Sequence, residues 1–216
     1  MNRPRRVVVV LGTGTEIGKT WVACRLLEAV RSTGASVAAR KPAQSFAPED
    51  AAAGVPTDAD LLGAATGEPA DRVCLPGRCY PLALAPPMAA DRLGTGRISL
   101  DDLLDELRWP AGVDLGLVET AGGVRSPIAH DGDGATLAHR LAPDLAVLVA
   151  DAGLGTINAV RSAIGALASV PTVVMLNRFD PGDPLHTGNR DWLVGHDECR
   201  VVTDVDALAT LVLPDA

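Results

Sequence analysis

The chain has 216 residues, 47% of them apolar and only 3% aromatic, with 19 Lys and Arg against 27 Asp and Glu for a formal charge of −8. That length suits one domain spanning residues 1–216 around a single core, and no composition shift marks a second. The acidic balance, with no basic run beyond Arg3–Arg6, argues against a nucleic-acid partner, and no stretch approaches the ~20 apolar residues of a membrane span.

The opening MNRPRRVVVV has a basic flank, but its apolar run stops after about five residues, short of the ~7 of a secretory signal. A cytoplasmic location with no membrane partner is the expectation. Cys24, Cys74, Cys79 and Cys199 contain no Cys-x-x-Cys pair, so neither zinc nor a disulfide framework is suggested. Cys24 falls inside an expected helix and reads as a small core residue.

Val7–Leu11 is an unbroken apolar run of the kind buried on both faces of a central parallel strand. Helical spacing of apolar residues follows from Gly18 to about Arg31, with Gly34 as a stop signal. Further strands are expected at Ser36–Ala39, Gly116–Glu119, Leu145–Ala150 and Thr172–Leu176. Helices are expected at Asp58–Thr66, Leu100–Leu107, Thr136–Leu141, Ile157–Ala168 and Asp204–Leu211. This alternation predicts an α/β fold, a mainly parallel sheet with helices on both faces, which binds ligands beyond the carboxyl ends of its strands. The proline- and glycine-rich stretch Cys74–Gly96 reads as a long irregular connection, of the kind that often covers a site.

The segment GTGTEIGKT, Gly12–Thr20, joins the first strand to the first helix, which is the context a phosphate-binding loop requires. Its glycines let backbone N–H groups turn to phosphate oxygens at a helix amino terminus. Lys19 would reach the β- and γ-phosphates, and the Thr20 hydroxyl would ligate Mg2+. The strict pattern wants glycine where Thr13 stands, with Gly12 one place earlier, so this is a longer variant of the loop. Signalling and partition ATPases often carry a second lysine where this chain has Thr13-Gly14-Thr15, which favours a metabolic member of the fold.

Glu119 ends an apolar strand just before Thr120-Ala121-Gly122-Gly123 and suits a magnesium-holding acid. Lys41-Pro42 closes the second strand, where a lysine can neutralise charge developing on a transferring group. Asp58 is either a helix cap or a metal ligand, with Asp60 its competitor. His130, in SPIAHDGDG, reads as a solvated loop residue rather than a base, and Trp192 as a packing anchor.

The phosphate loop, Lys41-Pro42, Glu119 with its glycines, the run Leu154-Gly155-Thr156-Ile157-Asn158, and Asn177 resemble the dethiobiotin synthetase family in order and spacing over residues 6 to about 180. The resemblance implies a P-loop NTPase fold, a homodimer, and a reaction that closes a cyclic urea from a diamine, carbon dioxide and ATP. One amine of a 7,8-diaminopelargonate-like substrate would form a carbamate, the carbamate would take the γ-phosphoryl group, and the second amine would close the ring.

By the same resemblance Lys19 and Lys41 would be catalytic, and Gly14, Thr15, Glu16, Ile17, Gly18, Lys19, Thr20 and Asn177 would bind nucleotide. Thr20, Asp58 and Glu119 would hold magnesium. Ser45, Gly122 and Gly123 would line the carbamate and carboxylate region, and Gly155, Thr156, Ile157 and Asn158 would contact substrate from the dimer interface. The chain departs from the family at Thr120, a glycine position, and in Ala43-Gln44-Ser45-Phe46 after the lysine and proline. The family's adenine-pocket segment is not recognisable in the carboxyl-terminal HDECRVVTDVDALATLVL. A diverged P-loop ATPase, acting on another amine or as a partner-binding switch, is the competing expectation.

Overall fold

A computed structural model describes residues 2–213. Among them the strands are β1 (Arg6–Gly12), β2 (Val37–Arg40), β3 (Gln44–Ser45), β4 (Cys79–Tyr80), β5 (Leu115–Glu119), β6 (Pro127–Ala129), β7 (Gly132–Asp133), β8 (Leu145–Asp151), β9 (Thr172–Asn177) and β10 (Val201–Val202). The α-helices are α1 (Lys19–Ser32), α2 (Pro48–Ala52), α3 (Asp58–Thr66), α4 (Ala70–Val73), α5 (Pro86–Leu93), α6 (Leu100–Asp105), α7 (Gly134–Leu141), α8 (Thr156–Ala166), α9 (Pro184–Gly195) and α10 (Val205–Val212).

Six strands form one parallel sheet in the order β10-β9-β8-β1-β5-β2. The run Val7–Leu11 lies at its centre and is no more than 1% exposed at any position. Alternation of side chains then sorts the core into two layers. Val8 and Val10 pack with Leu26 of α1, Leu62 of α3 and Leu208 of α10, while Val9 and Leu11 face Leu103 of α6, Leu137 of α7 and Val160 of α8. Burying a valine or leucine of this kind contributes about 2 kcal/mol. The expected α/β architecture with helices on both faces is what the chain adopts.

The helix expected at 58–66 has those bounds because both ends are chemically marked. Thr57 and Asp60 form a reciprocal capping box at the start, and Gly67, with φ 82°, ends it. The second strand begins one residue later than expected, since the backbone N–H and hydroxyl of Ser36 donate to Asp114 Oδ2 and end the preceding turn. Helix α9 carries no apolar stripe to read, burying only Asn189 and Leu193.

Three expectations need correction. The stretch 74–96 is not irregular throughout, for it contains β4 and α5, the latter opened by Pro86 and Pro87 where a helix tolerates missing N–H groups. His130 is not solvated: its ring bonds the backbone N–H of Ile98 at 2.9 Å through Nδ1 and Asp91 at 3.0 Å through Nε2, with the side chain 9% exposed. Trp192 is 43% exposed and stacks on His196 with ring centroids 4.1 Å apart, a surface contact rather than a core anchor.

Candidate active site

The parallel order brings four carboxyl-terminal ends together. β1 runs into the phosphate loop, Val10 is in register with Glu119 of β5, Lys41 follows β2, and Asn177 closes β9. The displaced glycine of the loop has a steric cause: a Cβ at Gly12 would lie 2.7 Å from Ile17 Cδ1 and 2.9 Å from Lys19 Cδ. At the helix entrance Gly18 takes φ 90°, and a Cβ there would meet Asn177 Nδ2 at 2.2 Å. Asn177 uses that nitrogen to donate to the Ile17 carbonyl at 2.8 Å, clamping the loop from β9. Arg178 adds a second clamp, donating to the Glu16 carbonyl at 2.9 Å while paired with Asp151 at 3.1 Å.

No side chain caps α1, so its first N–H groups face the loop with no side-chain acceptor. Lys19 donates to the Gly14 carbonyl at 3.1 Å, which folds its ammonium over the loop. Burial lowers its pKa, and the like charge of Lys41 lowers it further.

Thr20 is the pivot between two carboxylates. Its hydroxyl lies 2.8 Å from Asp58 Oδ1 and 2.9 Å from Glu119 Oε1, yet it has a single proton to donate. Lys41 sits on the same pair, 2.6 Å from Asp58 Oδ2 and 2.6 Å from Glu119 Oε1. Lys41 is 2% exposed and Glu119 is fully buried, and Glu119 Oε2 has no hydrogen-bond partner. Burial alone would pull the Lys41 ammonium down, but the charges of Glu119 and Asp58 outweigh it and hold the group cationic. Burial likewise pushes the Glu119 carboxyl up, with Lys41 pulling against it. Asp58 resists its own burial through Lys41 and Thr20 and lies below the usual carboxylate range.

Asp58 and Asp60, the two candidates in this helix, have different partners. Asp60 Oδ2 accepts from the Thr57 N–H at 2.8 Å and closes the cap, leaving the Asp58 carboxylate turned to Thr20 and Lys41. Among the described residues no three His, Cys, Asp or Glu side chains gather into a metal cage.

A cavity of about 870 Å³ opens over these groups, lined by Thr15, Glu16, Gly18, Lys19, Thr20, Lys41, Ser45, Asp58, Glu119 and Gly122 among the expected residues. The Ser45 hydroxyl is buried without a partner. Sequence reasoning passed over Gln44, Phe46, Asp50, Ser126 and the segment Ala83–Pro86, which complete the walls. Only the long connection 74–96, expected to cover a site, signalled any of them.

Gly14, Ile17, Gly123 and the run Gly155–Asn158 do not line this cavity in the single chain. Gly123 packs on the phosphate loop instead, where a Cβ would lie 3.4 Å from the Thr13 carbonyl. Thr120 takes the family's glycine position without a positive φ, its N–H bonding the Val10 carbonyl at 3.0 Å.

A second cavity, of about 650 Å³, adjoins Gly18 and Asn177 and is walled by Trp21, Phe179 and residues 203–206. The carboxyl-terminal segment that shows no family signature in sequence therefore still forms a wall beside the phosphate loop.

Comparison with known proteins identifies the family. A family model described as an AAA domain matches residues 6–212. The chain is 39% identical to the ATP-dependent dethiobiotin synthetase of Caulobacter vibrioides, covering 81% of each chain. It is 38% identical to that of an Anaeromyxobacter species, over 83% of this chain and 81% of the relative. The chain belongs to the ATP-dependent dethiobiotin synthetase family. It is thus an ATP-dependent ligase of biotin biosynthesis.

Solved structures resemble it in fold alone. A plasmid partition protein from Borrelia burgdorferi has a TM-score of 0.54 at 11% identity, covering 98% of this chain and 97% of the other. The signal recognition particle receptor FtsY from Elizabethkingia anophelis has 0.53 at 15% identity, covering 100% and 66%. No described helix is long and apolar enough to cross a membrane.

Proposed function

We propose that this chain, a single ATP-binding domain over residues 1–216, closes a cyclic urea from a vicinal diamine of the 7,8-diaminopelargonate type, carbon dioxide and ATP, releasing ADP and phosphate. The observation that carries this is Lys41, a buried cation beside the phosphate loop, held by two carboxylates at the edge of a cavity large enough for both substrates. A nucleotide switch needs no such cation facing the transferring group.

The residues present fit a magnesium ion. Oxygens of Thr20, Asp58 and Glu119 lie within hydrogen-bond distance about one hydroxyl, Lys41 donates to Glu119 Oε1, and Glu119 Oε2 has no donor. Such an oxygen-rich cluster, with one or two carboxylates and room for phosphate and water, is what Mg2+ takes. Bound with ATP, the ion would neutralise charge between the β- and γ-phosphates.

The chain's own side chains would do the rest by position and charge. The first amine of the substrate adds to carbon dioxide and loses a proton to form a carbamate. A carbamate oxygen then attacks the γ-phosphorus and expels ADP, giving a carbamic–phosphoric anhydride. The second amine attacks the carbamoyl carbon and expels phosphate. Lys19 would leave the Gly14 carbonyl to follow the γ-phosphate, and Lys41 would face the carbamate as charge moves between the two. Ser45, Gly122 and Gly123 would hold carbamate and carboxylate oxygens. Asn177 would read the base beside the loop that it clamps.

We further infer a homodimer working in the cytoplasm, with Gly155, Thr156, Ile157 and Asn158 reaching the partner's substrate. Leu154, 92% exposed at the start of that run, supports a covered face there.

The test is phosphate release by purified protein with ATP, Mg2+ and bicarbonate, with and without 7,8-diaminopelargonate, followed by product mass. Release that needs the diamine, with a cyclic urea formed, is expected. Nucleotide binding with no diamine-dependent release would overturn the proposal.

A further inference from the structure

Two cysteines that the mechanism does not use lie just behind the Lys41 wall. Cys79 Sγ and Cys74 Sγ are 3.5 Å apart. Each is fixed by backbone: the Cys74 N–H donates to the Ala70 carbonyl at 2.9 Å, and Cys79 of β4 pairs with Gln44 of β3. A disulfide has sulfurs about 2.05 Å apart, so closing the bond asks for a shift of roughly 1.5 Å.

The two thiols are unequal. Cys74 is 2% exposed, whereas Cys79 is only partly buried. The hydrogen bond to Cys74, aided by the Gln44 amide donating at 3.2 Å and against the effect of burial, lowers the Cys79 pKa to about 7. A partly exposed sulfur whose thiolate is favoured by its neighbours, backed by a buried thiol 3.5 Å away, is the arrangement in which one cysteine is oxidised and the other resolves it.

The pair also carries the catalytic segment. The Lys41 N–H donates to the carbonyl of Val73, next to Cys74, at 2.7 Å, and the Phe46 N–H donates to Tyr80, next to Cys79, at 3.1 Å. Gln44 links Cys79 to α3, its Oε1 accepting from the Ala59 N–H at 3.0 Å, one residue from Asp58. Moving either sulfur therefore pulls on the supports of Lys41, Ser45 and Asp58 together.

The geometry points to Cys74 and Cys79 as a modification site, an oxidisable dithiol that reacts with hydroperoxides and, on closing to a disulfide, displaces residues 41–46 and switches the active site off. In the first step the Cys79 thiolate attacks a peroxide oxygen. The O–O bond breaks, a sulfenic acid forms on Cys79, and hydroxide leaves when the oxidant is hydrogen peroxide. The Cys74 thiol then attacks the Cys79 sulfur, forming the S–S bond and releasing water. Sulfur loses two electrons overall and peroxide gains them. A dithiol reductant returns both electrons by thiol–disulfide exchange.

The coupling to turnover rests on the function proposed above, whereas the bond itself does not. The experiment treats the full chain with hydrogen peroxide and follows intact mass, a peptide map, MgATP affinity and diamine-dependent phosphate release. We expect the loss of two hydrogen masses, a Cys74–Cys79 cross-link, and a fall in release of about tenfold or more, as for an ångström-scale misplacement of reacting groups. Dithiothreitol should restore the rate, and Cys74→Ser and Cys79→Ser should each keep theirs under peroxide. Oxygen addition without the cross-link, or equal inactivation of Cys74→Ser, would overturn the proposal. If untreated protein shows no diamine-dependent turnover, the proposed function fails, and the mass change with a fall in MgATP affinity still decides the disulfide.

Discussion

The wall formed by residues 12–20 and the wall formed by residues 41–58 meet across Thr20 and Asp58, yet they are held in different ways. The first is continuous chain between a central strand and a helix, shaped chiefly by backbone, with a glycine at φ 90° and an uncapped helix start, and steadied at two carbonyls by the Asn177 and Arg178 side chains. The second hangs on side chains from distant segments, with Lys41 between Asp58 and Glu119 and Gln44 between Cys79 and Ala59. Backbone scaffolding is local and tolerates change around it. A buried charge network depends on every member being present.

Substitutions that strike one wall at a time separate these two kinds of support. The largest effect is expected for Lys19→Ala, which removes a cation from the γ-phosphate without unpairing any buried carboxylate. Phosphate release should drop by about a thousandfold with the melting temperature nearly unchanged, and an equal loss of stability would mean that the ammonium is structural.

Lys41→Met should instead injure both properties. With its partner gone, fully buried Glu119 is left uncompensated, a loss of about 3–5 kcal/mol by chemical denaturation. The pH dependence has a definite sign. Burial raises the folded-state pKa of Glu119, so the folded state holds its proton more tightly than the unfolded chain. The stability of the variant should therefore fall as pH rises above the ordinary glutamate value of 4.5. Adding Glu119→Gln should recover most of the stability and none of the activity. No recovery would place the defect in packing rather than charge.

Asp58 and Asp60 give a finer comparison within one helix turn. Asp58→Asn should raise the magnesium concentration needed for half-maximal rate by about tenfold, in the range that changes around a metal site produce, with a smaller stability loss than Lys41→Met because Glu119 still pairs the buried ammonium. Thr57→Ala, which opens the cap that Asp60 completes, should lose about 1 kcal/mol in thermal or urea unfolding and leave the magnesium titration where it was. Exchange of these two outcomes would move the proposed metal role from Asp58 to Asp60.

Much of the first wall is legible from residues alone. An apolar run, glycines, and Gly-Lys-Thr opening a helical pattern specify a strand, a turn and a helix in sequence order, and each step is local. Helix α3 was readable for the same reason, its capping residues lying within its own first turn. The second wall was only partly legible. Lys41 and Glu119 could be placed at strand ends, but that they share one charge network with Asp58 depends on β2 and β5 being neighbours. Gln44 and the residues beside Trp21 carried no signal because their partners lie far away in the chain, and Cys74 and Cys79, five residues apart, meet only because the turn between them brings β4 back beside α4.

The amino-acid sequence by itself determined the parallel α/β core, the phosphate loop and the chemical types available around it, since periodicity, turn residues and helix signals are local. Tertiary structure alone decided which aspartate meets Thr20, that His130 is held between Ile98 and Asp91, and that two unremarkable cysteines come together behind Lys41. Those outcomes depend on strand order and on which elements pack together, and long-range packing leaves no local pattern from which to read them.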